Sequence, residues 1–118
     1  MTPWDHAIST AERYGGKPED YIKIHDWFDE TKQYTGDWGH RSVRHHSAGI
    51  QWMIEKFGHV VTNSDGKVIP TKIIGEQHVK EDCGFVPTIQ DWTSVITQNP
   101  KDWMLKVKTK RNQTMEVV

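Results

Sequence analysis

Two histidines of this 118-residue chain are each followed by an aspartate four positions later, His25 by Asp29 and His78 by Asp82. Residues four apart lie on one face of a helix, so each pair can offer an imidazole nitrogen and a carboxylate oxygen to one point. Those donors bind divalent zinc, manganese or iron, so the repeated spacing predicts a divalent-metal site. The same spacing also fits an ordinary ion pair within each helix, and that alternative remains open.

His40 and His45 are candidate ligands for the same ion. On one regular helix, residues five apart lie about 140° apart around the axis. Both side chains could therefore reach one site only if the helix frays or distorts between them, and the sequence leaves open whether one or both bind. The neighbouring Arg41 and Arg44 are candidate contacts for an anionic group such as a phosphate, although arginines are also commonly solvated or paired with acids.

The remaining histidines fit structural roles. His6 lies on a short amphipathic helix, His46 falls within an apolar stripe and His59 begins a strand. The dipeptide His25-Asp26 also occurs in the HD phosphohydrolases, but a two-residue match discriminates little. Cys83, the single cysteine, excludes an internal disulfide and has no neighbour in the sequence that would activate it.

Helical periodicity and capping residues predict helices at about 3–14, 18–34, 37–57, 73–82 and 87–96. Residues 59–71 switch to strand periodicity, and Asp65-Gly66 predicts a hairpin turn. We therefore expect a mainly α fold in which residues 1–98 form a single domain of four to five helices, with one β-hairpin at about 59–71 packed against them. Residues 99–118 are basic and are expected to form a loosely held C-terminal tail.

The composition limits the classes of partner. The net charge is −1 with both signs mixed along the chain, so no bulk field draws nucleic acid or an anionic membrane. An apolar run of about eighteen residues, as needed for a membrane span, is absent from the sequence. We expect a cytoplasmic protein that avoids membranes and nucleic acid and has an unidentified small-molecule or protein partner. Trp52, on the far face of the third helix, is compatible with a homo-oligomer.

Several stretches form a pattern, namely 24–32, 63–67 and 75–82 together with His40-Arg41, His45 and Gly49. Over about residues 5–96 this pattern resembles an uncharacterised family of small phage and bacterial proteins of unknown function. The resemblance implies functional positions at His25, Asp29, His40, His45, His78 and Asp82. It also implies a phage or prophage origin. Asparagine is the implied residue at position 46, which argues against a ligand role for His46.

Two functions remain open at this point. A metal site allows hydrolysis of a phosphoester-like bond by a metal-bound water, although the sequence does not decide whether the chain is an enzyme. The alternative is a non-catalytic phage interaction protein whose histidines are structural. In that case Trp38, Trp52 and Trp103 would supply the contact surface.

Overall fold

The computed structural model describes residues 1–106 and is mainly helical, with seven α-helices and one antiparallel hairpin in that range. The helices are α1 (Pro3–Tyr14), α2 (Ile22–Asp29), α3 (Lys32–Thr35), α4 (Arg41–Arg44), α5 (Ser47–Phe57), α6 (Thr71–Cys83) and α7 (Ile89–Gln98). The strands are β1 (Val60–Thr62) and β2 (Val68–Pro70). The class agrees with the prediction, but the helices are shorter and more numerous than the four to five expected. The basic residues at 108, 110 and 111 of the predicted tail lie outside the described range. The loosely held C-terminal tail therefore remains a prediction.

Helix α1 begins and ends where the capping residues predict. The Thr2 hydroxyl accepts a hydrogen bond from the Asp5 backbone N–H, and the Asp5 carboxylate accepts one from the Thr2 N–H, at 3.1 and 3.2 Å. This reciprocal pair satisfies two of the amides that the first turn leaves free. The helix ends at Gly15, whose φ of +87° is readily adopted only by glycine.

The segment predicted as one helix from 18 to 34 is divided. A 3-10 turn at Pro18–Asp20 precedes α2, and α3 follows as a single further turn. Tyr21, Ile24 and Phe28 are buried as the predicted stripe requires. His25, expected at the edge of that stripe, is completely buried because α2 packs against both α1 and α6.

The continuous helix predicted from 37 to 57 is wrong. A 3-10 turn at Trp38–His40 and the single turn of α4 come first, and then extended backbone at His46 (φ −161°) separates them from α5. The His46 ring caps α5, because Nδ1 accepts from the Gly49 N–H and Nε2–H donates to the Val43 carbonyl, both at 3.0 Å. Gly49 permits the break, since a Cβ there would lie 1.9 Å from the Arg44 carbonyl oxygen.

The hairpin packs against the helices through its turn and one inward residue. Strand β1 pairs antiparallel with β2, with Val61 opposite Ile69, and Ile69 enters the core. Asn63 Nδ2 donates to the Tyr21 hydroxyl at 3.1 Å, and the Asp65 carboxylate accepts from the Gly16 N–H at 2.8 Å. These bonds hold the turn against the connection between α1 and α2.

The buried surface of helix α6 is apolar on one side and polar on the other. Ile74 and Val79 join Met53 and Phe28 in the core. Gly75 allows close packing, because a Cβ would lie 2.6 Å from the Met53 methyl group. Among the residues that the structure describes, no helix has both the length and the apolar character to cross a membrane.

Candidate metal centre

Buried histidines from four parts of the chain meet around two aspartates. His6 comes from α1, His25 and Asp29 from α2, and His78 and Asp82 from α6. His40 ends the 3-10 turn, and His45 follows α4. The side chains of His6, His25, His45 and His78 have no exposed surface, and His40 is 5% exposed. The break in the predicted third helix is what turns both His40 and His45 toward this cluster.

Four atoms form the centre of the cluster, namely His45 Nε2, His78 Nε2, Asp29 Oδ1 and Asp82 Oδ2. The two nitrogens are 3.1 Å apart. His45 Nε2 lies 3.3 Å from Asp29 Oδ1 and 3.0 Å from Asp82 Oδ2, and His78 Nε2 lies 3.3 Å from each oxygen. A tetrahedral ion with bonds of about 2.0–2.1 Å separates its ligand atoms by about 3.3 Å. The centre therefore has the spacing of a ligand set.

Two further histidines border this centre through the same carboxylates. His6 Nε2 lies 3.1 Å from Asp82 Oδ1, and His40 Nε2 lies 3.2 Å from Asp29 Oδ1. Ligand atoms of His6, Asp29, His78 and Asp82 lie within 4.8 Å of one another, as do those of Asp29, His40 and His45. The cluster could therefore supply up to four imidazoles and two carboxylates.

The outer nitrogens of these two histidines are occupied. His6 Nδ1 lies 2.8 Å from Glu81 Oε1, and His40 Nδ1 contacts the Asp37 carbonyl oxygen. A carbonyl can only accept, so His40 Nδ1 donates to it and Nε2 faces Asp29. Burial opposes a charge on His6, but hydrogen bonds to Asp82 and Glu81 outweigh it and raise its pKa. Hydrogen bonding of the outer nitrogen is typical of metal-binding histidines.

A chain of buried hydrogen bonds orients His78. Gln77 Nε2 donates to Glu81 Oε1 at 3.0 Å, so Gln77 Oε1 is an acceptor. The Thr10 hydroxyl lies 2.8 Å from that oxygen and 3.0 Å from the His6 carbonyl oxygen, and both can only accept its proton. Thr10 Oγ1 then accepts from His25 Nε2–H at 2.8 Å, which leaves His25 Nδ1 to accept from His78 Nδ1–H at 2.9 Å. His78 Nε2 is thereby directed at the carboxylates.

The centre lacks positive charge unless its histidines are protonated. The oxygens of Asp29 and Asp82 can only accept, so their hydrogen bonds here need protons on His45 Nε2 or His78 Nε2. Buried acceptors that lack a partner are costly. A divalent cation would take the place of those protons and bind all four central atoms at once.

The pKa shifts show the same imbalance. For both aspartates, burial alone would raise the pKa, but hydrogen bonds with His45 and its neighbours hold it well below 3.8. Burial opposes a charge on His45, yet its hydrogen bonds to Asp29 and Asp82 raise its pKa above 6.5. Burial, with the charges of His78 and His6, lowers the pKa of His25 to about 2, so that ring is neutral. The centre therefore attracts positive charge, whereas His25 does not carry it.

The predicted ligands do not all reach the centre. His40, His45, His78, Asp29 and Asp82 come together there. A ring atom of His25 lies within 4.8 Å of ring atoms of His6 and His78. However, its two nitrogens are directed at Thr10 and at His78 Nδ1, so His25 stands behind His78. Asp26 of the His25-Asp26 dipeptide is exposed, which separates this cluster from that motif.

The two arginines differ in position. Arg44 is occupied elsewhere, since Nη1 donates to the Trp27 carbonyl at 2.7 Å and to Glu30 Oε1 at 2.9 Å. Arg41 borders the cluster, with Nη2 4.0 Å from Asp82 Oδ1. Its buried Nε has no hydrogen-bond partner among the described residues. Of the two candidate anion contacts, only Arg41 lies at the cluster.

Sequence reasoning missed His6, Thr10 and Glu81. His6 and Thr10 are four apart on α1 and share a face with Ala7, which is also buried. Buried polar residues at helical spacing require partners, and the partners are on the polar side of α6. The sequence did contain a signal for these contacts, because α1 and α6 both have polar residues on the sides that face each other.

Comparison with known families gives a match over residues 1–104 to a family model described as a domain of unknown function, DUF6915. No curated protein and no solved structure matches the chain. The matched range contains the whole histidine–aspartate cluster. It bears out the expectation of an uncharacterised family, and the protein is a member of the DUF6915 family.

Proposed function

We propose that this protein binds a divalent metal ion through His45, His78, Asp29 and Asp82. The observation that carries the proposal is the set of five separations of 3.0–3.3 Å among these four ligand atoms. The direction of His78 Nε2 supports it, because that nitrogen faces both carboxylates while Nδ1 is bonded to His25. In this proposal His25 is a positioning residue that orients His78.

The donor set restricts the choice of ion. Four nitrogen and oxygen ligands near tetrahedral spacing suit zinc. If His6 and His40 also bind, six nitrogen and oxygen donors are available, and manganese or iron is favoured by that higher coordination number. The cluster has no cysteine ligand, since Cys83 is directed into a neighbouring cleft. We therefore propose zinc, manganese or iron.

We further propose metal-dependent hydrolysis of a phosphoester-like bond in a phage or prophage setting. For this chemistry the ion would need a coordination position beyond the four protein ligands, where it could lower the pKa of a water and polarise a phosphoryl oxygen. Arg41 lies beside Asp82, and its partly exposed guanidinium would hold the anionic group. The phage setting is supported by the resemblance in sequence pattern alone.

Elemental analysis of protein purified without a histidine tag tests metal binding. We expect close to one equivalent or more of zinc, manganese or iron in the wild type, and loss of it in His78→Gln. His59→Gln is the matched surface control, because His59 is exposed and lies outside the cluster. His46→Gln is the buried control, which should lose stability but keep metal. Wild-type protein that contains no metal, and whose melting temperature no added divalent ion changes, would contradict the proposal.

The alternative is a non-catalytic interaction protein. Trp38 and Trp103 are 67% and 72% exposed, which is unusual for such large apolar side chains and favours a contact surface. The double variant His25→Ala with His78→Ala separates the two functions. A metal protein should lose metal while it remains folded, whereas a structural role predicts mainly a loss of stability.

A further inference from the structure

A cleft of about 350 Å³ opens directly beside the candidate metal centre. Asp82 forms part of its wall, so one proposed ligand faces both the centre and the cleft. The remaining wall is formed by Arg41, Cys83, Phe85, Pro87, Asp91 and Trp92. Small-molecule sites commonly have volumes of roughly 300–1,000 Å³. The cleft can therefore hold part of a small ligand whose reactive group touches the metal.

One side of the cleft is apolar. Phe85 is 57% exposed, whereas phenylalanine side chains are usually buried. Trp92 is fixed in place, because its Nε1–H donates to the His45 carbonyl at 3.0 Å. The same bond joins this wall to the segment that positions a proposed ligand. Such a surface suits a flat aromatic or heterocyclic group.

The charged side of the cleft favours a single negative charge. Arg41 lines the cleft, and its side chain is 32% exposed, so the accessible part of its guanidinium can donate to the oxygens of one anion. Asp91 lies in the same wall, where its carboxylate accepts the Thr88 N–H at 2.8 Å in the cap of α7. A second charge on the ligand would be repelled by Asp91. This arrangement disfavours dianionic phosphomonoesters.

We propose that this cleft binds an aryl or heterocyclic phosphodiester. Its monoanionic phosphate contacts Arg41 and the metal, and its organic group lies on Phe85, Pro87 and Trp92. The inference rests on the proposed metal site and adds the substrate class. Phosphodiesters fit better than monoesters because they carry one charge and two organic substituents.

Calorimetric titration of metal-loaded protein with bis(4-nitrophenyl) phosphate tests the inference. We expect saturable binding, which Arg41→Gln weakens by about tenfold or more because a charge-assisted hydrogen bond is lost. Phe85→Ser should weaken it severalfold through lost aromatic contact. The matched controls are Lys80→Gln and Tyr34→Ser, which change exposed residues outside the cleft wall.

Each variant is also analysed for metal, which separates the two proposals. Metal-containing wild type that fails to bind the diester overturns the cleft assignment alone. Equal or tighter binding of 4-nitrophenyl phosphate or 4-nitrobenzoate overturns the choice of phosphodiester. Wild type without metal overturns the proposed function and this inference with it. Diester binding that is lost in Arg41→Gln and Phe85→Ser, at unchanged metal content, supports the inference.

Discussion

Replacing Thr10 with valine removes one hydroxyl from the hydrogen-bond chain that ends at His78. Thr10 Oγ1 lies 2.8 Å from both His25 Nε2 and Gln77 Oε1, and all of these residues are buried. Valine keeps the shape of the side chain but leaves both partners without a bond. Each stranded buried group costs about 1–3 kcal/mol, so two of them should lower the free energy of unfolding of the metal-free protein by about 2–6 kcal/mol.

The same substitution should weaken metal binding at a distance from the ion. Without the Thr10 acceptor, His25 is no longer held with Nε2 protonated and Nδ1 bare, so His78 loses the partner that accepts from its Nδ1 and directs its Nε2 to the centre. Removing such an orienting partner typically lowers metal affinity by about 10- to 100-fold, equivalent to about 1.4–2.7 kcal/mol. Thr10→Ser retains the hydroxyl and should restore most of the affinity.

Three measurements examine this prediction. Urea unfolding gives the stability of the metal-free variants, and competition with a chelator gives the metal affinity. Nitrogen-15 shifts of the histidine rings report the His78 tautomer. If Thr10→Val loses stability but keeps wild-type metal affinity and the wild-type His78 tautomer, the orienting role of His25 is refuted, and Thr10 is only a packing residue.

Three other outcomes follow from the buried rings and the close packing. The pKa of His25 is about 2 in the folded protein and about 6.5 when unfolded, so the unfolded chain takes up a proton that the folded protein does not. The stability of the metal-free protein, measured by urea unfolding, should therefore drop by about 1.4 kcal/mol per pH unit as the pH falls from about 6 to about 4. The raised pKa values of His45 and His6 mean that metal binding displaces protons, so calorimetry at pH 6.5 should detect release of about one to two protons, with affinity rising with pH. Gly49→Ala places a Cβ 1.9 Å from the Arg44 carbonyl oxygen and should destabilise the protein by about 3 kcal/mol or more, as measured by urea unfolding.

Each of these outcomes has a control or a contradicting result. A flat stability profile between pH 6 and 4 would show that His25 is protonated in the folded protein. Identical binding enthalpies in buffers with different ionisation enthalpies would exclude proton release. Gly39→Ala is the control for Gly49→Ala, because its Cβ would lie 3.2 Å from a side-chain oxygen that can move. It should therefore cost much less stability.

Local pattern predicted the parts of the site that lie on regular helices. The spacing of His78 and Asp82 places both on the inner side of α6, and the spacing of His25 and Asp29 places both on α2, although α2 ends at Asp29 and is shorter than the helix predicted from 18 to 34. The capping residues of α1 predicted the ends of that helix correctly, and the Asp65-Gly66 turn predicted the position of the hairpin. These features depend on residues within one or two turns, which is the range that a single sequence encodes directly.

The rest of the site depends on contacts between distant segments. The chain breaks at His46 because α5 packs Gly49 against the Arg44 carbonyl, and helical periodicity continues through that point without interruption. His6 looks ordinary until α6 provides Glu81 and Asp82 opposite it. Tertiary contacts thus decided which histidines converge, and the spacing along the sequence could not.

The 76 positions between His6 and Asp82 have a consequence for how the protein is made. Helix α1 leaves the ribosome before α6, and its inner polar residues must remain hydrated until α6 has been synthesised. The four central atoms come together only after synthesis of α6, so uptake of a tightly held ion follows synthesis of that helix. A nascent chain that stops before α6 keeps only the group of Asp29, His40 and His45, and it should hold an ion more weakly than the complete domain.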